Sequence, residues 1–386
     1  MYLRNDNHDE PMKTGAVIKS RLIRDTTYYP KDDLGIPRHI LVSAFFSIQW
    51  HITNSCDLHC KHCYDRSKRS PLTLKQGQKT LDDLSRFCRD RGVKGNVCFT
   101  GGNPFLSPVF VELYTSAVQR GFSVDILGNP VPEEQLLPLL KIRKPGLFQI
   151  SLEGMEKHND SIRGTGSFKR GLHFLDLLRS LEVPSGVMLT LTDKNMGQVL
   201  KLGKLLRGRT GFLTLSRLSQ VGEGARLAMP SKDKFDSFLS RYFKAARENP
   251  TLSLKDNLFN ILLYRNNLPL FEGCVGFGCS PAFNTVAILS DGEVHACRKF
   301  PSLIGDINRR SLSQIYDSAI ARRYRRGNCA CAKCFIKPLC GGCMASIKSH
   351  GLDVFKDRDP YCFMEAPPAS SSARVSRARA RARTPA

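Results

Sequence analysis

From residue 44 onward, segments with the hydrophobic pattern of a strand alternate with segments that have the hydrophobic pattern of a helix. Short β-rich runs bounded by Gly or Pro predict strands, and apolar residues spaced like Val199, Leu202 and Leu206 predict helices. The predicted strands are 44–53, 96–100, 122–127, 147–152, 186–192 and 212–218. The predicted helices between them are 73–90, 108–120, 132–142, 167–181 and 195–206.

This repeated strand-helix order predicts an α/β fold, in which a parallel sheet with outer helices forms an open or closed barrel. Functional residues of such folds collect where the strands end. Three cysteines follow the first strand, the run 101–104 follows the second, Ser151 and Glu153 end the fourth, and Arg217 ends the sixth. We therefore expect these segments, which are distant in the sequence, to lie together at the carboxyl ends of the strands.

The periodicity also divides the chain into regions. Residues 44–230 are predicted to form the barrel, after an N-terminal extension over 1–43, and 231–270 a helical bridge. From 271 to 365 cysteines and short hairpin signals replace the alternation, so metal is expected to hold this region together more than an apolar core does. Residues 366–386, with five arginines in the last 17 positions, are predicted to be a disordered basic tail.

The composition limits the class of protein to which this chain can belong. With 386 residues and 41% hydrophobic content, the chain can bury a large core. No signal-peptide pattern opens it, and its longest apolar run, 39–48, is about half a membrane span, so a cytoplasmic location without membrane partners is expected. The net charge of +23 is compatible with binding of nucleic acid, binding of an acidic peptide or compensation for anionic cofactors. We favour compensation for anionic cofactors over nucleic-acid binding.

The 14 cysteines point to metal, because cytosolic thiols are kept reduced. Cys88 and Cys98 are interpreted as small apolar residues. Cys56, Cys60 and Cys63 lack the second cysteine pair of common zinc sites, although nearby histidines could complete a zinc set. The spacing suits a loop around three corners of a 4Fe-4S cluster, with one iron left open.

The C-x3-C-x2-C segment after the first strand resembles that of radical S-adenosylmethionine (SAM) enzymes. "GGNP" is similar to their glycine-rich motif, usually GGEP, with Asn103 where Glu is common. "SLEG" resembles the family's SLDG, and Arg163 lies in a segment similar to HDxIRG. The resemblance implies a partial (β/α)6 barrel, a cluster on the three cysteines, and SAM contacts from His62, Gly101, Gly102, Asn103, Pro104, Ser151, Glu153 and Arg163.

The later cysteines resemble a SPASM domain, which holds two auxiliary 4Fe-4S clusters in many peptide-modifying members. The resemblance assigns Cys274, Cys279, Cys297 and Cys343 to one cluster, and Cys331, Cys334, Cys340 and Cys362 to the other. The spacing from Cys340 to Cys343 is one residue shorter than usual, and Cys329 is a spare. Two CxxC pairs keep zinc as an alternative, but only five residues separate them.

The family resemblance implies reductive cleavage of SAM to a 5′-deoxyadenosyl radical that abstracts hydrogen from the substrate. We expect a maturase of a ribosomal precursor peptide, closest to the selenobiotic type, that installs a modification such as a thioether on a peptide with cysteine or selenocysteine. Formylglycine formation is less favoured, because Arg298 replaces the Asp that sulfatase-maturing members carry there. Tetrapyrrole modification shares the same cluster domains and stays open, as does a protein that only transfers electrons.

The same resemblance implies partners. An electron donor such as flavodoxin or ferredoxin would supply the cluster with electrons. Residues 1–43 are too few for the winged-helix module that binds leader peptides in many maturases. Leader recognition is then expected to rest on the barrel, on the basic surface or on a separate leader-binding protein. The sequence assigns no catalytic acid or base.

Overall fold

The computed structural model describes residues 22–23 and 42–365. The predicted tail at 366–386 and nearly all of the predicted extension at 1–43 lie outside these residues. Leu22–Ile23 pairs with Val42–Ser43 in a short antiparallel ladder. Among the described residues, none of the helices combines the length and apolar character that crossing a membrane requires.

One sheet of nine strands organises the molecule. Its strands are β1 Phe45–Thr53, β2 Lys94–Gly101, β3 Ser123–Leu127, β4 Leu147–Ser151, β5 Ser185–Leu191, β6 Phe212–Arg217, β7 Thr285–Ile288, β8 Glu293–His295 and β9 Leu303–Asp306. They run in the order β9-β8-β7-β1-β2-β3-β4-β5-β6. The strands β1 to β6 are parallel neighbours, and β6 remains an edge, so the six predicted strands form an open, partial barrel.

Helices of the barrel region pack against the outer face of the sheet, and further helices follow in the later part of the chain. They are α1 Leu74–Arg91, α2 Phe110–Gln119, α3 Glu133–Ile142, α4 Glu156–Arg163, α5 Ser167–Ser180, α6 Val199–Leu205, α7 Lys232–Glu248, α8 Phe259–Arg265, α9 Leu312–Tyr316, α10 Ala319–Arg326 and α11 Met344–Ser349. The α1 helix begins with a capping box between Thr73 and Gln76 and ends at the left-handed Gly92, which fixes both of its ends. Each predicted helix of the barrel region is present.

The alternation of side chains along β1 separates core from cavity. Phe46 is fully buried and packs on Phe87 of α1, with ring centres 4.4 Å apart. The intervening residues point to the concave face, where Ser47 and Gln49 line a deep cavity and His51 lines a second one nearer the strand ends. Successive strand residues point to opposite faces of a sheet, so the barrel interior is built from polar positions that a strand prediction alone treats as interruptions.

The apolar core continues into the cysteine-rich region, which differs from the expectation that metal would hold it. Strand β7 pairs in parallel with β1, and β8 and β9 extend the sheet as antiparallel neighbours. Phe283, Val294 and Ile315 are fully buried in the same core cluster as the barrel residues. Sheet pairing and apolar packing therefore contribute to this region alongside its cysteines.

Candidate active site

The three-cysteine loop lies at the carboxyl end of β1, over a cavity of about 410 Å³. Cys56, Cys60 and Cys63 all line this cavity. The loop is tied to α4, because the backbone N–H of Lys61 donates to the carbonyl of Ile162 at 3.0 Å. Burial raises the pKa of Cys60 to about 11, and the neighbouring thiols add to the shift. Thiols gathered in a buried place suit a cation that compensates their charge on deprotonation, which an iron-sulfur cluster provides.

The glycine pair that follows β2 is required by the backbone of the cysteine loop. The N–H of Gly102 donates to the carbonyl of Thr53, and the N–H of Asn103 to that of Ser55, each at 2.8 Å. A Cβ atom on Gly101 would lie 2.1 Å from the oxygen of Thr53, and one on Gly102 equally close to that of Ser55. Both glycines line the cavity, so they also leave room for a ligand there.

Asn103 has its side chain in a buried polar contact and is not among the residues that line the cavity. Only 2% of the residue is exposed, and its amide donates to a carboxylate oxygen of Asp57 at 3.0 Å. Asn129 donates to the same oxygen at 2.8 Å. Pro104 is also buried and outside the cavity lining. The GGNP segment therefore offers the cavity its two glycines, while Asn103 positions the cysteine loop.

Glu153 stands at the centre of a buried charged cluster behind the cavity wall. One of its carboxylate oxygens lies 2.7 Å from Nε2 of His62 and 3.3 Å from Nη1 of Arg163. The other accepts the N–H of Thr190 at 2.8 Å. Burial alone would raise the pKa of Glu153, but His62, Arg163 and the backbone donor outweigh it and hold that pKa below its usual value. Glu153 therefore stays charged and orients the side chains of His62 and Arg163.

Three other predicted contact residues reach the cavity: His62, Ser151 and Arg163. Arg163 is 7% exposed and donates from Nη2 to the side-chain oxygen of Asn129 at 3.0 Å. The structure thus brings His62, Ser151 and Arg163 to one wall, together with the three cysteines and both glycines.

Two residues in this arrangement were missed from the sequence. Asn129 follows the third strand, lines the cavity and connects Arg163 to Asp57. Its signal was available, since a Gly-Asn-Pro turn directly follows β3 at the same strand end as the other motifs. Asp57 sits between the predicted ligands but gives no sign in sequence of its partners, which lie 46 and 72 positions away.

The first group of later cysteines surrounds a deep cavity of about 360 Å³ inside the barrel. Cys274, Cys279, Cys297 and Cys343 all line it. Burial raises the pKa of Cys297 to about 11, and burial together with the other thiols raises that of Cys279 well above its usual value. Both the donor atoms and the open volume fit a cluster. Cys98, interpreted as an apolar residue, lines this cavity as well.

The second group, Cys331, Cys334, Cys340 and Cys362, also comes together. The open space between these side chains is only about 10 Å³, roughly that of one water. The donor set suits a cluster, whereas the open space is too small for one with the side chains as they stand. Cys329 is exposed and does not line this space. Within the described residues, no set of three His, Cys, Asp or Glu side chains is compact enough for a single metal ion.

The two large cavities share a wall. Residues lining both are Leu127, Gln149, Met188, Ser216, Arg217, Arg298 and Lys299. Arg217, at the end of β6, is 1% exposed and donates two hydrogen bonds of 2.8 Å to Asp359 and one of 2.7 Å to Asp256. The cysteine-rich region is therefore fastened to the mouth of the barrel by a buried ion pair.

Tyr64, next to the last cysteine of the loop, faces this wall. Its hydroxyl lies 3.3 Å from Nε2 of His51, and the Arg298 guanidinium lies 5.9 Å from its ring centre. Burial raises the pKa of Tyr64, and burial with the nearby Arg298 lowers that of His51 to about 3. Both groups are neutral near pH 7.

An open α/β barrel with a three-cysteine loop at its mouth and a four-cysteine cavity behind it defines an iron-sulfur enzyme. Residues 50–206 match the family model of the radical SAM superfamily, and 279–343 match SPASM, described as an iron-sulfur cluster-binding domain. The chain is a radical SAM enzyme with a SPASM domain. This assignment excludes a protein that only transfers electrons.

Named relatives belong to two chemistries. An AdoMet-dependent heme synthase of Methanosarcina barkeri is 24% identical over 343 residues, covering 82% of this chain and 95% of the relative. Mycofactocin maturase MftC of Mycobacterium tuberculosis is 26% identical over 345 residues and 83% of each chain. Streptococcus suis SuiB, solved with its precursor peptide SuiA, shares the fold with a TM-score of 0.66 and 16% identity, over 84% of this chain and 77% of SuiB.

Proposed function

We propose that this enzyme is a peptide maturase. It would abstract hydrogen from a ribosomal precursor peptide containing cysteine or selenocysteine and so install a modification such as a thioether. The observation that carries the proposal is the wall shared by the two large cavities, with three cysteines on one side and four on the other. A substrate segment placed at this wall would lie between a SAM-binding cluster and an auxiliary cluster, where a radical formed on it could be oxidised.

The chain's own residues would hold the cofactors. Cys56, Cys60 and Cys63 would hold the first cluster, which together with SAM would supply the 5′-deoxyadenosyl radical. Gly101 and Gly102 would leave room for SAM, and Arg163 would donate to its carboxylate. Ser151 and His62 would contact it from the same wall. Glu153, Asn103 and Pro104 would act from behind, by fixing those residues and the loop.

The later cysteines would hold two auxiliary clusters. Cys274, Cys279, Cys297 and Cys343 would bind one beside the shared wall, and Cys331, Cys334, Cys340 and Cys362 the other near the surface of the same region. The total would then be three 4Fe-4S clusters. A flavodoxin or ferredoxin would supply electrons.

Tetrapyrrole modification is the second candidate. It is favoured by the similarity to the heme synthase, which extends over 95% of that relative. The similarity to MftC, which extends over 83% of that relative, favours a maturase. Formylglycine formation is not supported, because the position after Cys297 holds Arg298, which cannot accept a proton at neutral pH.

Product analysis separates these candidates. Reconstituted protein given dithionite and SAM should yield 5′-deoxyadenosine. The substrate to test first is a short cysteine-bearing peptide encoded beside the gene, labelled with deuterium at carbon. Deuterium in 5′-deoxyadenosine together with a mass change in the peptide would support the maturase. Transfer from a deuterated tetrapyrrole, with none from the peptide, would instead establish the second candidate.

A further inference from the structure

Two adjacent cations occupy the shared wall of the cavities. Arg298 and Lys299 directly follow Cys297 and line both the cavity below the three-cysteine loop and the four-cysteine cavity. A molecule that spans the two spaces would lie beside them. Their position therefore suits selection of a substrate better than maintenance of the fold.

The contacts of these cations in the structure are neutral. Arg298 packs over the ring of Tyr64, with Cζ 5.9 Å from the ring centre, and hydrogen bonds to this residue. The ammonium of Lys299 donates to the hydroxyl of Ser216 and the carbonyl of Arg217, both at 2.8 Å. A guanidinium has five N–H donors and an ammonium three, so both retain donors for a ligand.

Three carboxylates that line the cavities have other partners. Asp65 pairs with Arg69 at 3.4 Å. Asp256 pairs with Arg217, and Asp125, deeper in the barrel, accepts a hydrogen bond of 3.1 Å from Asn96. Over residues 42–365, the ion pairs at 4.0 Å or less do not include Arg298 or Lys299. Two half-buried cations on one wall repel each other, and an anion bound to both lowers that cost.

We propose that Arg298 and Lys299 bind a carboxylate of the substrate at the wall between the two cavities. The proposal rests on the proposed function, so the carboxylate belongs to the peptide, as an Asp or Glu side chain or its C-terminus. Arg298 provides the two parallel donors that fit a carboxylate, and Lys299 adds a point charge. The bound carboxylate fixes which neighbouring peptide residue faces the three-cysteine cavity.

A competing role is compensation for the thiolate charge of a cluster at Cys297. The two roles differ in one respect. If the cations only compensate the charge of a cluster, their loss affects the binding of every peptide equally. If they bind a carboxylate, their loss affects only peptides that carry that carboxylate.

The test uses the cluster-loaded enzyme with SAM. Probes are the fluorescein-labelled peptide encoded beside the gene and copies in which each Asp, each Glu and the C-terminal carboxylate is changed in turn to the amide. Binding is measured by fluorescence polarisation for the unmodified chain, for Arg298→Gln and for Lys299→Gln. Arg226→Gln is the matched control, since its side chain is 84% exposed and outside both cavities.

One amide peptide should bind the unmodified chain about 10- to 100-fold more weakly, the range for a hydrogen-bonded charge. Arg298→Gln should weaken the binding of the parent peptide by a similar factor. It should not weaken the binding of that amide peptide further. Arg226→Gln should leave both dissociation constants unchanged. If Arg298→Gln loses iron, Arg298→Lys replaces it, with a smaller loss of the same pattern expected.

Two results would overturn the proposal. One is that every amide peptide binds the unmodified chain as the parent does. The other is an equal loss for acid and amide peptides on Arg298→Gln, which would assign the arginine to cluster charge.

Failure of the peptide function would be recognised separately, because no peptide would bind. Coproporphyrin III and its tetramethyl ester are then compared. A preference for the free acid that Arg298→Gln abolishes would support the carboxylate site, and equal binding of acid and ester would contradict it.

Discussion

The side-chain amide of Asn103 donates a 3.0 Å hydrogen bond to the carboxylate of Asp57, joining the glycine-rich segment to the cysteine loop. Glu is common at this position in the family that the motif resembles, and here the carboxylate is on the neighbouring loop. The carboxylate and the amide form one pair, so we expect them to change places only when both residues are substituted together.

Asn103→Glu should place two carboxylates in contact in a buried setting, with a loss of about 1–3 kcal/mol in the free energy of unfolding. Asp57→Asn combined with Asn103→Glu should recover most of this loss, because the donor and acceptor are then exchanged. Urea unfolding followed by the fluorescence of Trp50, the only tryptophan in the chain, measures both. An additive loss in the double variant would show that the two side chains are not coupled.

Gly102→Ala should disturb the cysteine loop by steric contact alone. Its Cβ would lie 2.1 Å from the carbonyl oxygen of Ser55, and backbone cannot move aside cheaply. We expect a loss of at least about 1–3 kcal/mol in the free energy of unfolding and weaker SAM binding. Gly197→Ala is the control, since no atom lies within 4 Å of the place that its new methyl group would take. Similar behaviour of the two variants would contradict the steric argument.

Cys60→Ala should abolish the formation of 5′-deoxyadenosine. The cavity loop would keep two thiols, too few for the cluster that binds SAM, while the cysteine groups of the SPASM domain remain intact. Iron content should fall by the amount of one cluster. Cys329→Ala, which removes an exposed thiol outside the three cysteine groups, should keep both the iron and the product. Loss of iron in that control would make Cys329 a ligand.

Glu153→Gln should destabilise the protein by about 3 kcal/mol near pH 7, because Arg163 is left buried without its carboxylate. The pKa of Glu153 lies below its usual value, so its stabilising effect is complete above about pH 4.3 and is lost as the pH falls through its lowered pKa. The difference between variant and parent should therefore still be present at pH 5 and should shrink as the pH falls below about 4.3.

The matched control for this prediction is Glu223→Gln, in an exposed pair 3.6 Å from Arg226. It should change the free energy of unfolding by less than about 1 kcal/mol. A difference for Glu153→Gln that does not shrink in acid would show that packing, not charge, is the source of its effect.

Asp359→Asn should loosen the contact between the sixth strand and the SPASM domain. Arg217 would retain Asp256 but lose a charged partner in a fully buried place, at a cost of about 3 kcal/mol. Asp176→Asn, in a partly exposed pair with Arg209, should cost less than about 1 kcal/mol. The urea midpoints of the two variants give the comparison, and equal midpoints would contradict a special role for the buried pair.

Six strands, their helices and the cysteine loop at the end of β1 could be predicted from the sequence, because these features are local. A period of two or 3.6 residues and a spacing such as C-x3-C-x2-C need no knowledge of distant residues. The same holds for the grouping of the later cysteines, which follows from a resemblance carried by spacing. The domain boundaries and the ligand roles stay predictions.

Only the tertiary structure decided how the motifs meet. It placed Asn103 on Asp57 rather than in the cavity, brought Asn129 to Arg163, and added β7 to the edge of β1. It also turned Arg298 toward both cavities. Each of these depends on which face of a strand points inward and on partners tens of residues away. A local pattern cannot encode such partners, because the parallel sheet fixes them only when all of its strands are assembled.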